Sequence, residues 1–228
     1  MAKLILFDID GTLLDSGGAG IAALDLAFAE LFGIPDAFAG APMAGRTDLQ
    51  IIRSALSRHG LPAEDPLVLR LCSAYRRHLE LLVYNNRRSL KPRVRETLSE
   101  LGARPDVQLA LLTGNIEAGA RLKLEVFGLN AHFPFGAFGD DEEDRNRLLP
   151  VAVGRYARLS GRGLAYEDCI VIGDTPRDVE CAKIHGACAV AVATGPYSRE
   201  ELSAGGADYV VGDMSEMDCE ALLRCGRL

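Results

Sequence analysis

Short apolar runs that end in polar residues constrain this chain more than any other feature. Residues 3–9, Lys-Leu-Ile-Leu-Phe-Asp-Ile, are a run of large aliphatic and aromatic side chains that closes on Asp8 and Asp10. A strand that is apolar on both sides is covered on both faces, as in a parallel sheet. Similar runs recur over residues 107–112, 169–172 and 187–193, with a weaker one at 208–211. Helical patterns lie between them over 91–101, 116–127, 148–159, 177–185 and 215–223. This alternation predicts an α/β fold, a doubly wound, Rossmann-like parallel sheet with helices on both faces.

The pattern changes between the first strand and residue 90. Amphipathic stretches over 19–32, 48–59 and 66–84 carry no strand signal and read as a helical insert. The expected division is a core of residues 1–15 and 91–228 with a small helical cap of residues 16–90. Gly17, Gly18 and Gly20 lie where the chain leaves the sheet, and Leu90-Lys91-Pro92 where it returns.

In open parallel sheets, ligands bind beyond the carboxyl ends of the strands. Three such ends are polar here: Asp8-Ile9-Asp10-Gly11-Thr12, Thr113-Gly114-Asn115 and Gly173-Asp174-Thr175-Pro176-Arg177-Asp178. A single aspartate after a strand is commonly a helix cap, but three polar ends together are harder to dismiss. Carboxylates from Asp8, Asp10 and Asp174 gathered in one cleft would repel strongly. A hard dication removes that conflict, and Mg²⁺ takes one or two carboxylates, waters and a substrate phosphate. In that setting Asp8 is a candidate nucleophile, and Asp10 a candidate acid and base for the leaving oxygen and the attacking water. Thr113 offers a hydroxyl to a phosphate oxygen. Gly11, Thr12, Gly114 and Asn115 are the turn residues expected to cradle the substrate.

These residues carry a resemblance to the haloacid dehalogenase-like superfamily. Phe7-Asp8-Ile9-Asp10-Gly11-Thr12-Leu13 resembles its D-x-D-G-T signature, Leu111-Leu112-Thr113-Gly114-Asn115 its second motif, and Gly173-Asp174-Thr175-Pro176-Arg177-Asp178 its G-D-x-x-x-D motif. The resemblance implies Mg²⁺ held by Asp8, the backbone carbonyl of Asp10 and Asp174, with Asp178 in support. It also implies a helical cap after the first motif, as in phosphoglycolate phosphatase-like members. One departure stands out. The family's third motif usually supplies a lysine, yet this chain has none between Lys123 and Lys183. Arg145 and Arg147 are the candidates to replace it, with Arg145 favoured; an arginine would need different geometry.

The reaction expected from the resemblance is hydrolysis of a small phosphate monoester through an aspartyl-phosphate. Dehalogenases lack the second aspartate, which is present here as Asp10. Phosphonate hydrolysis requires a cap lysine, and no lysine lies between Lys3 and Lys91. A phosphosugar mutase shares every core motif and is the second reading. A non-catalytic binding protein on the same fold is the third, and would predict loss of Asp8 or Asp10. Arg46, in Gly45-Arg46-Thr47-Asp48 just before a cap helix, is a candidate substrate contact, or alternatively a plain helix-start residue beside its cap. The acidic run of residues 140–144 reads as a solvated loop, with a metal contact as the other option.

Composition bounds the partners. A formal net charge of −7 and a pI near 5.2 argue against a nucleic-acid surface. No apolar run approaches the ~18 residues of a membrane span, and no charged leader opens the chain. The expectation is a cytoplasmic enzyme, monomer or homodimer, acting on a small phosphorylated metabolite. Six cysteines occur without a C-x-x-C pair, and are expected to behave as small unpaired hydrophobes.

Overall fold

The computed structural model describes residues 2–225. The chain enters through β1 (Lys3–Phe7) and a two-residue strand, β2 (Leu14–Asp15). Three helices follow: α1 (Ala19–Phe32), α2 (Asp48–Arg58) and α3 (Asp65–Leu82). The chain returns through β3 (Ser89–Leu90), then alternates through α4 (Val94–Gly102), β4 (Val107–Leu112), α5 (Glu117–Glu125), β5 (Gly136–Ala137), α6 (Leu148–Ser160) and β6 (Cys169–Gly173). It continues through α7 (Pro176–Lys183), β7 (Cys188–Val192), α8 (Arg199–Ala204), β8 (Tyr209–Val211) and a short α9 (Cys219–Leu222).

Six strands form one parallel sheet in the order β5-β4-β1-β6-β7-β8. Every residue of β1 is buried, as its unbroken apolar run requires. Ile5 and Phe7 face a layer containing Val94, Leu98, Leu124 and Leu222, whereas Leu4 and Leu6 face Leu148, Ala152, Val179 and Leu202. Successive strands add to one side of β1 through β4 and to the other through β6. The order therefore reverses at β1, and a crevice opens at the carboxyl ends of these three strands.

The helices α1, α2 and α3 build a separate apolar cluster around Phe28, Phe38, Ile52, Leu56, Leu71 and Tyr75, joined by Ile116 at the start of α5. Their chain crossings are tied together, because β2 and β3 pair antiparallel with Leu14 opposite Leu90.

Some elements differ from expectation. The pattern over 215–223 splits into a 3₁₀ turn, Met214–Glu216, and α9, because the Asp218 side chain accepts from the N–H groups of Glu220 and Ala221 and starts a new helix there. Helix α4 begins at Val94 rather than residue 91, since Arg93 takes a left-handed conformation with φ 58°. The cysteines are not all unpaired: Cys188 and Cys225, 37 residues apart, are disulfide-bonded with Cα atoms 5.9 Å apart.

Candidate active site

Asp8 follows directly on β1 and stays within the sheet's hydrogen bonding, its N–H donating to the carbonyl of Ile172 at 2.9 Å. The chain then folds back sharply, with the N–H groups of Leu13 and Leu14 both directed at the Ile9 carbonyl. Gly11 takes φ 84°, and Gly195 approaches from the loop after β7. These two glycines make room for Asp174: a β-carbon would stand 2.3 Å from its Oδ2 at Gly11 and 1.7 Å at Gly195. Thr12 fixes the other oxygen, donating to Asp174 Oδ1 at 3.0 Å.

Asp8, Asp174 and Asp178 are all buried, and each places a carboxylate oxygen within 4.8 Å of the others. Burial pushes the Asp8 carboxyl up to about 6, with Asp178 and Asp10 adding to the rise while Arg145 and Thr113 oppose it. Burial, then the charges of Asp178 and Asp8, push Asp174 up to about 8. Such crowding of hard oxygen donors suits Mg²⁺, which would restore the ionised forms. Asp10 does not join this group through its side chain. Asp178 is committed on both oxygens: Oδ1 accepts from Arg145, and Oδ2 accepts from the N–H of Thr175 at 3.0 Å and its hydroxyl at 2.7 Å. Asp178 is thus both the third residue of a capping box on α7 and the partner of the buried arginine.

Arg145 and Arg147 part company in a 3₁₀ turn, Arg145–Arg147, that precedes α6. The Arg145 side chain is 5% exposed, and its Nη2 lies 3.3 Å from Asp8 Oδ1 while also bonding Asp178. Burial pulls its guanidinium down, but the charges of Asp178 and Asp8 outweigh that and hold it above its ordinary value. Arg147 is 70% exposed and pairs with Glu142.

A second cluster lies beside the first. The Thr113 hydroxyl draws the Asp8 carboxyl down and accepts from Asn115 Nδ2 at 2.8 Å. Asn115 Nδ2 also donates to Asp10 Oδ2 at 2.9 Å. Lys123, from α5, donates to the same Asp10 oxygen at 2.6 Å and to Asn115 Oδ1 at 2.6 Å. Lys123 stands in no sequence motif: the absence of lysine between Lys3 and Lys91 concerns the insert, whereas this lysine arrives from α5. A signal was present: Gly119, Ala120, Lys123 and Leu124 form one buried stripe of α5, with a charge where an apolar residue is expected.

The three-helix layer closes over these groups and leaves a cavity of about 600 Å³, walled on its side by Ile21, Leu24, Ile51 and Tyr75. The two layers meet at the start of α2. Thr47 caps that helix and donates its hydroxyl to the Glu143 carbonyl at 2.8 Å. The Asp48 N–H donates to the Gly114 carbonyl at 2.7 Å, and Asp48 Oδ2 accepts from the Ile116 N–H at 2.9 Å. Burial pushes Asp48 up to about 6 against the pull of Lys123. Gly114 must lack a side chain here, because a β-carbon would lie 2.2 Å from the Arg46 carbonyl. Arg46 borders the cavity, but its guanidinium turns back to the Gln50 carbonyl at 3.2 Å and the Ser54 hydroxyl at 2.6 Å rather than toward Asp8. The acidic run lies at the surface, with residues 140, 143 and 144 exposed, and is not gathered at the carboxylates: Asp140 accepts from the Glu117 N–H, Asp141 pairs with Arg155, and Glu143 pairs with Arg53.

Comparison with known proteins agrees with this geometry. Residues 5–183 match the family model described as haloacid dehalogenase-like hydrolase. The chain is 27% identical over 246 residues to a phosphoglycolate phosphatase of Pseudomonas savastanoi pv. phaseolicola, covering 98% of this chain and 84% of that one. It is 29% identical over 222 residues to a phosphoglycolate phosphatase of Rhodospirillum rubrum, with 95% and 90% covered. Among solved structures, CbbY from Rhodobacter sphaeroides in complex with phosphate superposes with a TM-score of 0.76 over 97% of this chain and 99% of that one, at 20% identity, a likeness of fold.

Proposed function

Since this chain belongs to the haloacid dehalogenase-like hydrolases and is a phosphatase among them, we propose that it hydrolyses a small phosphate monoester through an aspartyl-phosphate on Asp8, with Mg²⁺ as cofactor. The observation that carries this reading is the buried Asp8 carboxylate beside a buried arginine, grouped with Asp174 at the floor of the cavity. Residues 16–90 are read as the cap and the remainder as the core.

Asp8 and Asp174 would hold the metal, with Asp178 steering Arg145 behind them. When bound, Mg²⁺ neutralises charge on the phosphate and keeps the carboxylates ionised. Arg145 and the Thr113 hydroxyl bind phosphate oxygens and orient the group for in-line attack. An oxygen of Asp8 bonds to phosphorus as the ester P–O bond breaks, and Asp10 gives its proton to the departing alkoxide. Asp10 then takes a proton from water, whose oxygen attacks phosphorus. The Asp8–phosphorus bond breaks, releasing phosphate and the free carboxylate. The walls from α1, α2 and α3 exclude bulk water and meet the carbon part of the substrate.

The test is turnover of para-nitrophenyl phosphate with Mg²⁺ by the native protein and by Asp8→Asn. The native protein is expected to turn over, to lose activity on chelation and to regain it with Mg²⁺. The variant is expected to be folded and inactive, and turnover by folded Asp8→Asn overturns the proposal. Phosphate release across a panel of metabolites then identifies the ester class.

A further inference from the structure

We propose that Lys123 is a positioning residue for Asp10, deciding which of its two carboxylate oxygens handles the proton. The inference rests on the reading of Asp10 as acid and base. Lys123 is 4% exposed and sits in the apolar stripe of α5, a costly place for an ammonium group. It is held there by a closed ring of hydrogen bonds. Lys123 donates to Asp10 Oδ2 and Asn115 Oδ1, and Asn115 Nδ2 donates to the same Asp10 Oδ2. Both donors converge on one oxygen of Asp10. Its Oδ1 has no hydrogen-bond partner among the described residues, and the residue borders the cavity. A carboxylate anchored on one oxygen presents the other in a fixed direction. The single bond from Asn115 would leave the group free to pivot, and the Lys123 contact removes that freedom.

The ring also reaches the loop after β4, because Asn115 donates to the Thr113 hydroxyl. Asp48, from the start of α2, lines the same cavity as Lys123. The ammonium therefore stands among three polypeptide segments that must hold still together: the loop after β1, the loop after β4 and the first turn of α2. Its service to the reaction passes through Asp10, so it differs from a residue that grips substrate.

The experiment compares Lys123→Met, Asp10→Asn and the double variant on two esters, para-nitrophenyl phosphate and a primary alkyl phosphate. Phenolate leaves without a proton, whereas an alkoxide needs one. With the rate of phosphoenzyme formation in a single turnover as the readout, since the later attack of water is common to both esters, Lys123→Met is expected to slow that step by about tenfold or more with the alkyl ester and by less than about twofold with the aryl ester. The double variant is expected to be no slower than Asp10→Asn alone. An equal loss on both esters, no loss on either, or a further loss in the double variant overturns the proposal. Should Lys123→Met fail to fold, Lys123→Gln replaces the ammonium with a shorter, neutral amide. The same leaving-group-dependent loss is expected of it, and an equal loss on both esters overturns the proposal. Asp10→Asn alone separates the premise from the inference: a loss independent of leaving group removes Asp10 from its role, whatever Lys123 does.

Discussion

A guanidinium wedged between two buried carboxylates differs from the ammonium that the family usually places there. It is planar, permanently charged and able to bond in two directions at once, and Arg145 uses this to meet Asp8 and Asp178 together. Removing it leaves buried negative charge uncompensated. Arg145→Ala is expected to cost about 3 kcal/mol in urea unfolding and to lower turnover by roughly a hundredfold or more. Arg147→Ala, on an exposed side chain, is expected to change stability by less than about 0.5 kcal/mol and to leave turnover alone. Comparable losses in the two variants would refute this division. The sequence narrowed the choice to these two residues and favoured Arg145 without deciding between them. They flank a turn whose direction depends on packing, with the Cys181 thiol close under the Arg145 carbonyl, and no local pattern records that. Asp8, Asp10 and Asp174 were legible because each closes or follows an apolar run. Lys123 was not, because its importance lies in the partner it meets 113 residues away in sequence.

The long strands were readable for a physical reason: a strand covered on both faces is almost wholly apolar, and β1, β4, β6 and β7 show it, with Lys3 and Gln108 near the strand starts as the exceptions. Strands of two residues carry no periodicity, so β2, β3 and β5 could not be seen. The loop after β7 was equally silent, although it shapes the site through Gly195. A β-carbon there would stand 1.7 Å from Asp174 Oδ2. Gly195→Ala is accordingly expected to push that carboxylate aside, raising the Mg²⁺ concentration needed for half-maximal turnover severalfold or more while the urea midpoint moves little. Titration of activity against Mg²⁺ provides the check, and an unchanged Mg²⁺ requirement would show that Asp174 is free to relocate without consequence.

For the molecule as a whole, the Cys188–Cys225 bond ties the far end of the described chain to β7, the strand next to the sheet edge. The sequence could not reveal it, since both residues sit in apolar surroundings and no motif links them. In the chain-entropy view a closed loop of that length stabilises by up to about 4 kcal/mol. Reduction is therefore expected to lower the urea midpoint of the oxidised native protein but not that of Cys188→Ser, with turnover at 25 °C unaffected; a reduction-insensitive midpoint in the native protein would exclude the bond. The contact between the three-helix layer and the sheet has a different consequence. It runs through Thr47, Asp48 and Gly114, beside the loops that bear Thr113 and Asn115. The protein is thus a mould whose parting line passes through its own hollow. A guest too long for the hollow is therefore expected to strain that line, so that reach weighs alongside the side chains that border it.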